Sequence, residues 1–129
     1  MIALDTSSLI AYLEGAEGAD VSAVQETLIL CIGVLPPVVL TELLSSPSAD
    51  EDTKALISQL PLLQVTPGYW ERAARLRAAI LAKGLRANLA DTLICQSCLD
   101  HDLPLVTRDR DFRHFVAHGG LTLMPAQGL

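Results

Sequence analysis

Met1-Ile2-Ala3-Leu4-Asp5-Thr6-Ser7-Ser8-Leu9-Ile10 is the stretch that decides the reading of this chain. A short apolar run ends on an aspartate and a hydroxyl-rich turn follows. Leu9, Ile10, Tyr12 and Leu13 then recur at helical spacing, which predicts a buried strand, a capping turn and a helix ended near Gly15. The same alternation continues outward. Val21, Val24 and Leu28 mark an amphipathic stretch over 19–29, and the β-branched run Leu28 to Val34 predicts a strand. Pro36-Pro37 opens a helix through Ser46 that Pro47 stops, and a short helix is expected from Asp50 to Leu60. A strand over Leu62 to Val65 precedes a long helix from Gly68 to about Lys83, closed by Gly84. Asn88 caps the next helix, which runs to about His101; Leu103 to Val106 is a strand and Arg110 to Val116 a helical turn or two. After Gly119-Gly120 comes a last strand, Leu121 to Leu123. Short apolar strands alternating with helices are the pattern of βαβ units. The expected architecture is an α/β protein, a three-layer α/β/α arrangement around a central parallel sheet. With no repeat, low-complexity stretch or long linker, residues 1–129 read as a single domain.

Composition narrows what such a domain can do. Hydrophobic residues make up 50% of the chain and charged ones 19%, with mean hydropathy +0.39, which excludes intrinsic disorder. The aromatic residues are few (Tyr12, Tyr69, Trp70, Phe112, Phe115), which argues against a nucleic-acid platform of stacked rings. No apolar run approaches the ~20 residues that span a bilayer. No basic leader precedes the first strand, so the cytoplasm is the expected compartment and no membrane the expectation. Three cysteines do not make a disulfide framework. The Cys95-x-x-Cys98 spacing lies within an apolar helical pattern and lacks the second pair that would complete a zinc site, so both read as buried core residues.

Charge is distributed unevenly. The total is −6, the wrong sign for a nucleic-acid binder. Yet residues 1–64 carry one base, Lys54, against nine acids, while residues 65–129 carry eight bases against six acids. Seven of those eight bases are arginine, whose planar fork matches phosphate; Arg86, Arg108 and Arg110 are the candidate nucleic-acid contacts, and Arg72 to Arg77 read equally well as a solvated helix face.

In a parallel sheet the helices run back antiparallel to the strands, so helix N-termini and strand C-termini share the edge where sites form. Four acids fall there: Asp5 after the first strand, Glu42 in the helix after the second, Asp91 in the first turn of its helix, and Asp109 after Leu103 to Val106. Each also has a local explanation. Asp5 can cap a helix, Asp91 occupies the acidic position of a capping box, and Asp109 can make an Asx turn. Glu42, on a stripe with Val38 and Val39, demands a partner. Like charges ~4 Å apart repel by about 4 kcal/mol at an effective dielectric of ~20, so a cation is expected among them. Oxygen-only donors select hard ions, Mg²⁺ or Mn²⁺. Such an ion suits phosphodiester hydrolysis. His114 and His118 lack the glutamate of a zinc-binding helix and offer no rival site.

The ordered set Ile2-Ala3-Leu4-Asp5-Thr6-Ser7, Val39-Leu40-Thr41-Glu42-Leu43, Leu89-Ala90-Asp91-Thr92-Leu93-Ile94 and Leu105-Val106-Thr107-Arg108-Asp109-Arg110-Asp111-Phe112 resembles the PIN domain, the metal-dependent ribonuclease fold, and in particular the VapC toxins of toxin–antitoxin pairs. The resemblance spans nearly the whole chain. It implies that Asp5, Asp91 and Asp109 hold the ion, that Glu42 orients the attacking water or acts as base, that Thr107 steadies the last acid, and that Asp111 is a secondary ligand candidate. It further implies cleavage of single-stranded RNA, inhibition by a cognate antitoxin and homodimerisation.

Two other readings remain at this level. A phosphotransfer or receiver domain also gathers acids around magnesium, but Ser7 stands where a second aspartate is needed, and Arg108 and Arg110 stand where a lysine is. A PIN-like binding scaffold, or a PIN nuclease outside any toxin–antitoxin pair, shares every feature; a purely binding scaffold would be marked by a lost acid, and none is lost.

Overall fold

In the computed structural model, which describes residues 1–126, strand β1 (Ile2–Leu4) is the middle of three parallel strands. It pairs with β2 (Gly33–Val34) on one side, Ile2 against Gly33, and with β3 (Leu105–Val106) on the other, Leu4 against Val106. Helices α1 (Thr6–Leu13) and α2 (Ala19–Ile29) lead from β1 to β2. Four more lead to β3: α3 (Pro37–Leu44), α4 (Glu51–Ser58), α5 (Tyr69–Leu81) and α6 (Leu89–His101). After β3 a 3₁₀ turn at Arg110–Phe112 runs into α7 (Arg113–Gly119). The result is the expected three-layer α/β/α fold.

The sheet is buried on both faces, as an all-parallel sheet must be. Ala3, Leu4, Leu105 and Val106 are fully inaccessible and continue into a core with Leu9, Val24, Leu35, Val39, Ile94 and Phe112. α2 packs on β2 and β3, and α6 packs between α3 and α5. This position explains why α6 buries side chains around most of its circumference, Thr92, Ile94, Cys95, Gln96, Ser97 and Cys98 among them. Cys95 and Cys98 are free and buried, and burial pushes both thiols up, which keeps them protonated and inert. Among the described residues no helix is long and apolar enough to cross a membrane.

Three sequence expectations shift. The run Leu28 to Val34 is not one strand. α2 carries its helical spacing through Ile29, Cys31 turns the chain at φ 56°, and only Gly33 and Val34 pair, which leaves Ile29 and Leu30 exposed. The strands expected at Leu62 to Val65 and Leu121 to Leu123 are each reduced to a single parallel bridge, Leu62 to Leu35 and Leu123 to Leu105. Pro61 and Pro125, which have no N–H to give a ladder, flank these bridges and shorten them.

Candidate metal centre

The chain begins in the middle of the sheet, moves to one side and returns to the other. The segments leaving β1 and β3 therefore diverge, and divergence of adjacent connections opens a crevice at the C-terminal edge. Asp5 leaves β1 and Thr107 to Asp111 leave β3 directly into that crevice. Asp91 enters from the first turn of α6 and Glu42 from α3.

Local chemistry fixes each side chain. Asp5, 4% exposed, accepts from the Ser7 hydroxyl at 2.6 Å and from the Thr107 hydroxyl at 2.7 Å, both on Oδ2. The Asp109 N–H donates to Thr107 Oγ1 at 3.0 Å, so this one hydroxyl ties the segment after β3 to the acid after β1. The sequence resemblance assigned Thr107 to the last acid; its proton goes to Asp5 and it reaches Asp109 through the backbone. Asp109 Oδ1 accepts from the Asp111 N–H at 2.9 Å, the Asx turn that starts the 3₁₀ turn. Asn88 caps α6 by accepting from the Asp91 N–H at 2.8 Å, which leaves the Asp91 carboxylate to face the crevice. Glu42 is exposed on α3 and finds its partner in Thr6, whose hydroxyl donates to Oε1 at 2.8 Å.

One carboxylate oxygen from each of Asp91, Asp109 and Asp111 can be chosen so that all three lie within 4.8 Å of one another. Asp91 is 7% exposed, and its pKa is pushed up to about 7, first by burial and then by the charges of Asp109, Asp5, Asp111 and Glu42. Burial likewise raises Asp5, against the hydroxyls that favour its charged form. The other four acids named from the sequence thus all act on Asp91. Hard oxygen donors at this density, in surroundings that disfavour a bare anion, fit a hard divalent ion.

The arginines separate. Arg86 and Arg110 are exposed, Arg110 on the rim of a concavity of about 270 Å³ with Thr107. Arg108 turns away from the acids and pairs with Asp20. Arg72, from the stretch that read equally as helix face or phosphate contact, is bound to Asp100, and Arg77 donates to the Ala87 carbonyl. Sequence reasoning missed Ser7 and Thr6 as ligands of Asp5 and Glu42. The signal was in view, three hydroxyl residues directly after an acid at a sheet edge, but it reads as helix capping when only local structure is considered.

The family model of the PIN domain matches residues 2–117. The chain belongs to the PIN domain family, whose members are nucleases. Solved structures share its fold at low identity. FitAcB from Neisseria gonorrhoeae matches at 22% identity and TM-score 0.66 over 95% of this chain and 96% of that one. VapBC2 from Rickettsia felis, bound to a DNA fragment from their promoter, matches at 21% and 0.68 over 95% and 97%. FitAB bound to the IR36 DNA fragment matches at 19% and 0.66 over 95% and 93%. No curated protein matches the sequence. Membership in this family displaces the phosphotransfer and receiver reading.

Proposed function

We propose that this chain is a Mg²⁺- or Mn²⁺-dependent endoribonuclease acting on single-stranded RNA, and the toxin of a VapBC-like toxin–antitoxin pair. The observation that carries the reading is the meeting of Asp91, Asp109 and Asp111, one carboxylate oxygen of each within 4.8 Å of the others, with Asp91 buried at a helix start. Burial and the neighbouring acids both disfavour the bare anion there, and a bound cation would favour it.

Asp5, Asp91 and Asp109 would hold the ion, with Asp111 as a further donor. When bound, the ion supplies Lewis-acid polarisation of a phosphoryl oxygen and neutralises charge on the leaving oxygen. The chain's own groups do the rest. Ser7 and Thr107 fix the orientation of Asp5 through its Oδ2. Glu42, steadied by Thr6 at the exposed rim, orients the attacking water and takes its proton as the phosphorus–oxygen bond forms. Arg110 and Arg86 would meet the phosphate backbone. The acidic total makes this attraction local and salt-dependent.

The structural neighbours FitAB and VapBC2 are toxin–antitoxin complexes, which supports an antitoxin as protein partner. Exposed Trp70, Leu81 and Leu89 provide apolar surface that a protein partner would cover, in keeping with a homodimer or an antitoxin. The expected setting is the cytoplasm.

The test is direct. Purified chain should cleave single-stranded RNA in Mg²⁺ or Mn²⁺ and stop on chelation, sparing duplex RNA and DNA. Absence of divalent-dependent cleavage across single-stranded substrates overturns the enzyme reading. A small neighbouring reading frame whose product binds the chain and silences it decides toxin against a nuclease of other purpose.

A further inference from the structure

Behind the acid crevice lies a second polar cluster that the cleavage chemistry does not use. Arg108 stands between Thr107 and Asp109, and its guanidinium is engaged by Asp20 at the start of α2, not by the crevice acids. Its Nε donates to Asp20 Oδ2 at 2.8 Å and its Nη2 to Asp20 Oδ1 at 3.1 Å, a two-pronged pair. Nη2 also donates to the Glu17 carbonyl at 3.0 Å. Asp20 Oδ2 accepts in addition from the Ser8 hydroxyl, fully buried, at 2.8 Å. Ser7 and Ser8 are neighbours in the first turn of α1 and serve different carboxylates, Asp5 in the crevice and Asp20 behind it. A third residue makes room for the pair. Gly18 has φ 148°, and a Cβ there would lie 2.7 Å from Asp20 Oδ1 and 3.0 Å from Arg108 Nη2.

We propose that the Arg108–Asp20 pair, with Ser8 and Gly18, is a clasp that positions the segment after β3 so that Asp109 and Asp111 are presented to Asp91, making Arg108 a positioning residue and not an RNA contact. The inference rests on the proposed metal-dependent activity and deepens it. The segment is held from two sides. Thr107 pins it to Asp5 within the crevice, and Arg108 pins it to the start of α2 outside. Asp109 directly follows both anchors and its N–H donates to Thr107 Oγ1, so its main chain has little freedom to rotate and its carboxylate is turned into position before an ion arrives. Without the outer anchor the segment is held only by Thr107 and by the long Arg108 N–H to Ser7 Oγ bond of 3.4 Å, and mutual repulsion among Asp91, Asp109 and Asp111 drives the acids apart. An arginine aimed at RNA would instead leave its fork toward solvent.

The experiment compares Arg108→Gln, Asp20→Asn, the double variant, Arg108→Lys and Arg110→Ala in the full chain. Mn²⁺ affinity is read by calorimetry, RNA affinity by titration without divalent ion, and amide hydrogen exchange over residues 107–112 in metal-free protein. The clasp predicts about 10-fold weaker Mn²⁺ binding and faster exchange of the segment in both single variants. The double variant should be no worse than either single one, because both remove the same link. Arg108→Lys should restore only part of the affinity, since an ammonium cannot make the two-pronged bond. Arg110→Ala should weaken RNA binding and leave Mn²⁺ binding unchanged. The proposal is overturned if Arg108→Gln weakens RNA binding while Asp20→Asn does not, or if exchange over 107–112 is unaltered. If the unmodified chain fails to bind Mn²⁺, the metal-dependent function falls, and the exchange measurement still decides whether the clasp orders the segment.

Discussion

Asp91 and Asp100 stand at opposite ends of helix α6, both withdrawn from solvent, and their surroundings have opposite sign. Asp100 accepts from Arg72 Nη2 at 2.7 Å and Nε at 3.0 Å, from Gln96 at 2.8 Å and from Thr66 at 3.2 Å; Arg72 foremost holds its carboxyl below the usual range. Asp91 is pushed up to about 7, first by burial and then by the four acids it faces. The helix dipole alone orders the two the other way, because it favours an anion in the first turn and disfavours one in the last. That effect is worth about 0.3–1 kcal/mol, and the immediate neighbours outweigh it at both ends. A buried acid supplied with its cation belongs to the scaffold. A buried acid deprived of one, among other acids, is where the proposed ion would bind.

The contrast can be broken most forcefully at Asp91. Asp91→Asn, like Asp5→Asn, should reduce divalent-dependent RNA cleavage by on the order of 100-fold or more while the metal-free protein stays folded. Cleavage by either variant at the unmodified rate in Mg²⁺ contradicts the ion-holding role. The pH response is the next largest effect. The folded pKa of Asp91 lies above the ordinary carboxylate value of 3.8, so between about pH 4 and 7 the folded state binds the proton more tightly than the unfolded one. Metal-free stability should therefore fall as pH rises through that window, by on the order of 2 kcal/mol, and level off above it. Denaturant melts at pH 5 and 8 measure this; Asp91→Asn should flatten the difference, and saturating Mn²⁺ should reverse it.

Asp100→Ala should do the converse, lowering the melting temperature by on the order of 5 °C and leaving Mn²⁺ affinity untouched. Its stabilising effect should be lost in acid, as pH falls below the ordinary carboxylate range, because its folded pKa is depressed. A shift in metal binding in this variant would mean that the two ends of α6 are coupled. The smallest expected change lies at the rim. Arg110→Ala should weaken RNA affinity about 3-fold at low salt, more than Lys54→Ala, and the difference should shrink as salt rises.

Much of the layout was legible in the sequence, for reasons that particular residues make plain. Asn88 caps α6 and Asp50 caps α4 with side-chain bonds of 2.8 Å, so helix starts followed from residue type alone. The positions of Asp5, Glu42, Asp91 and Asp109 along the chain followed from where a parallel sheet must end. Illegible was anything set by pairing across the fold. That Leu28 to Val34 divides into helix, turn and two strand residues depends on how far β1 extends beside it. That Asp109 and Asp111 both approach Asp91 depends on the Asx turn between them. Arg108 reads as a phosphate fork, and Arg72 as either phosphate contact or solvated helix face, because their partners, Asp20 and Asp100, lie 88 and 28 positions away.

The two outermost contacts of the sheet, Leu62 on Leu35 and Leu123 on Leu105, have a consequence for how the molecule meets other proteins. A ribbon one bridge long, flanked by proline, exposes too few unpaired amides to template a foreign strand. Among the described residues neither margin offers a ladder long enough to pair with a neighbouring strand, a feature that disfavours fibril-like stacking. Recognition is left to helix faces and their side chains, where specificity is read by shape and not by backbone.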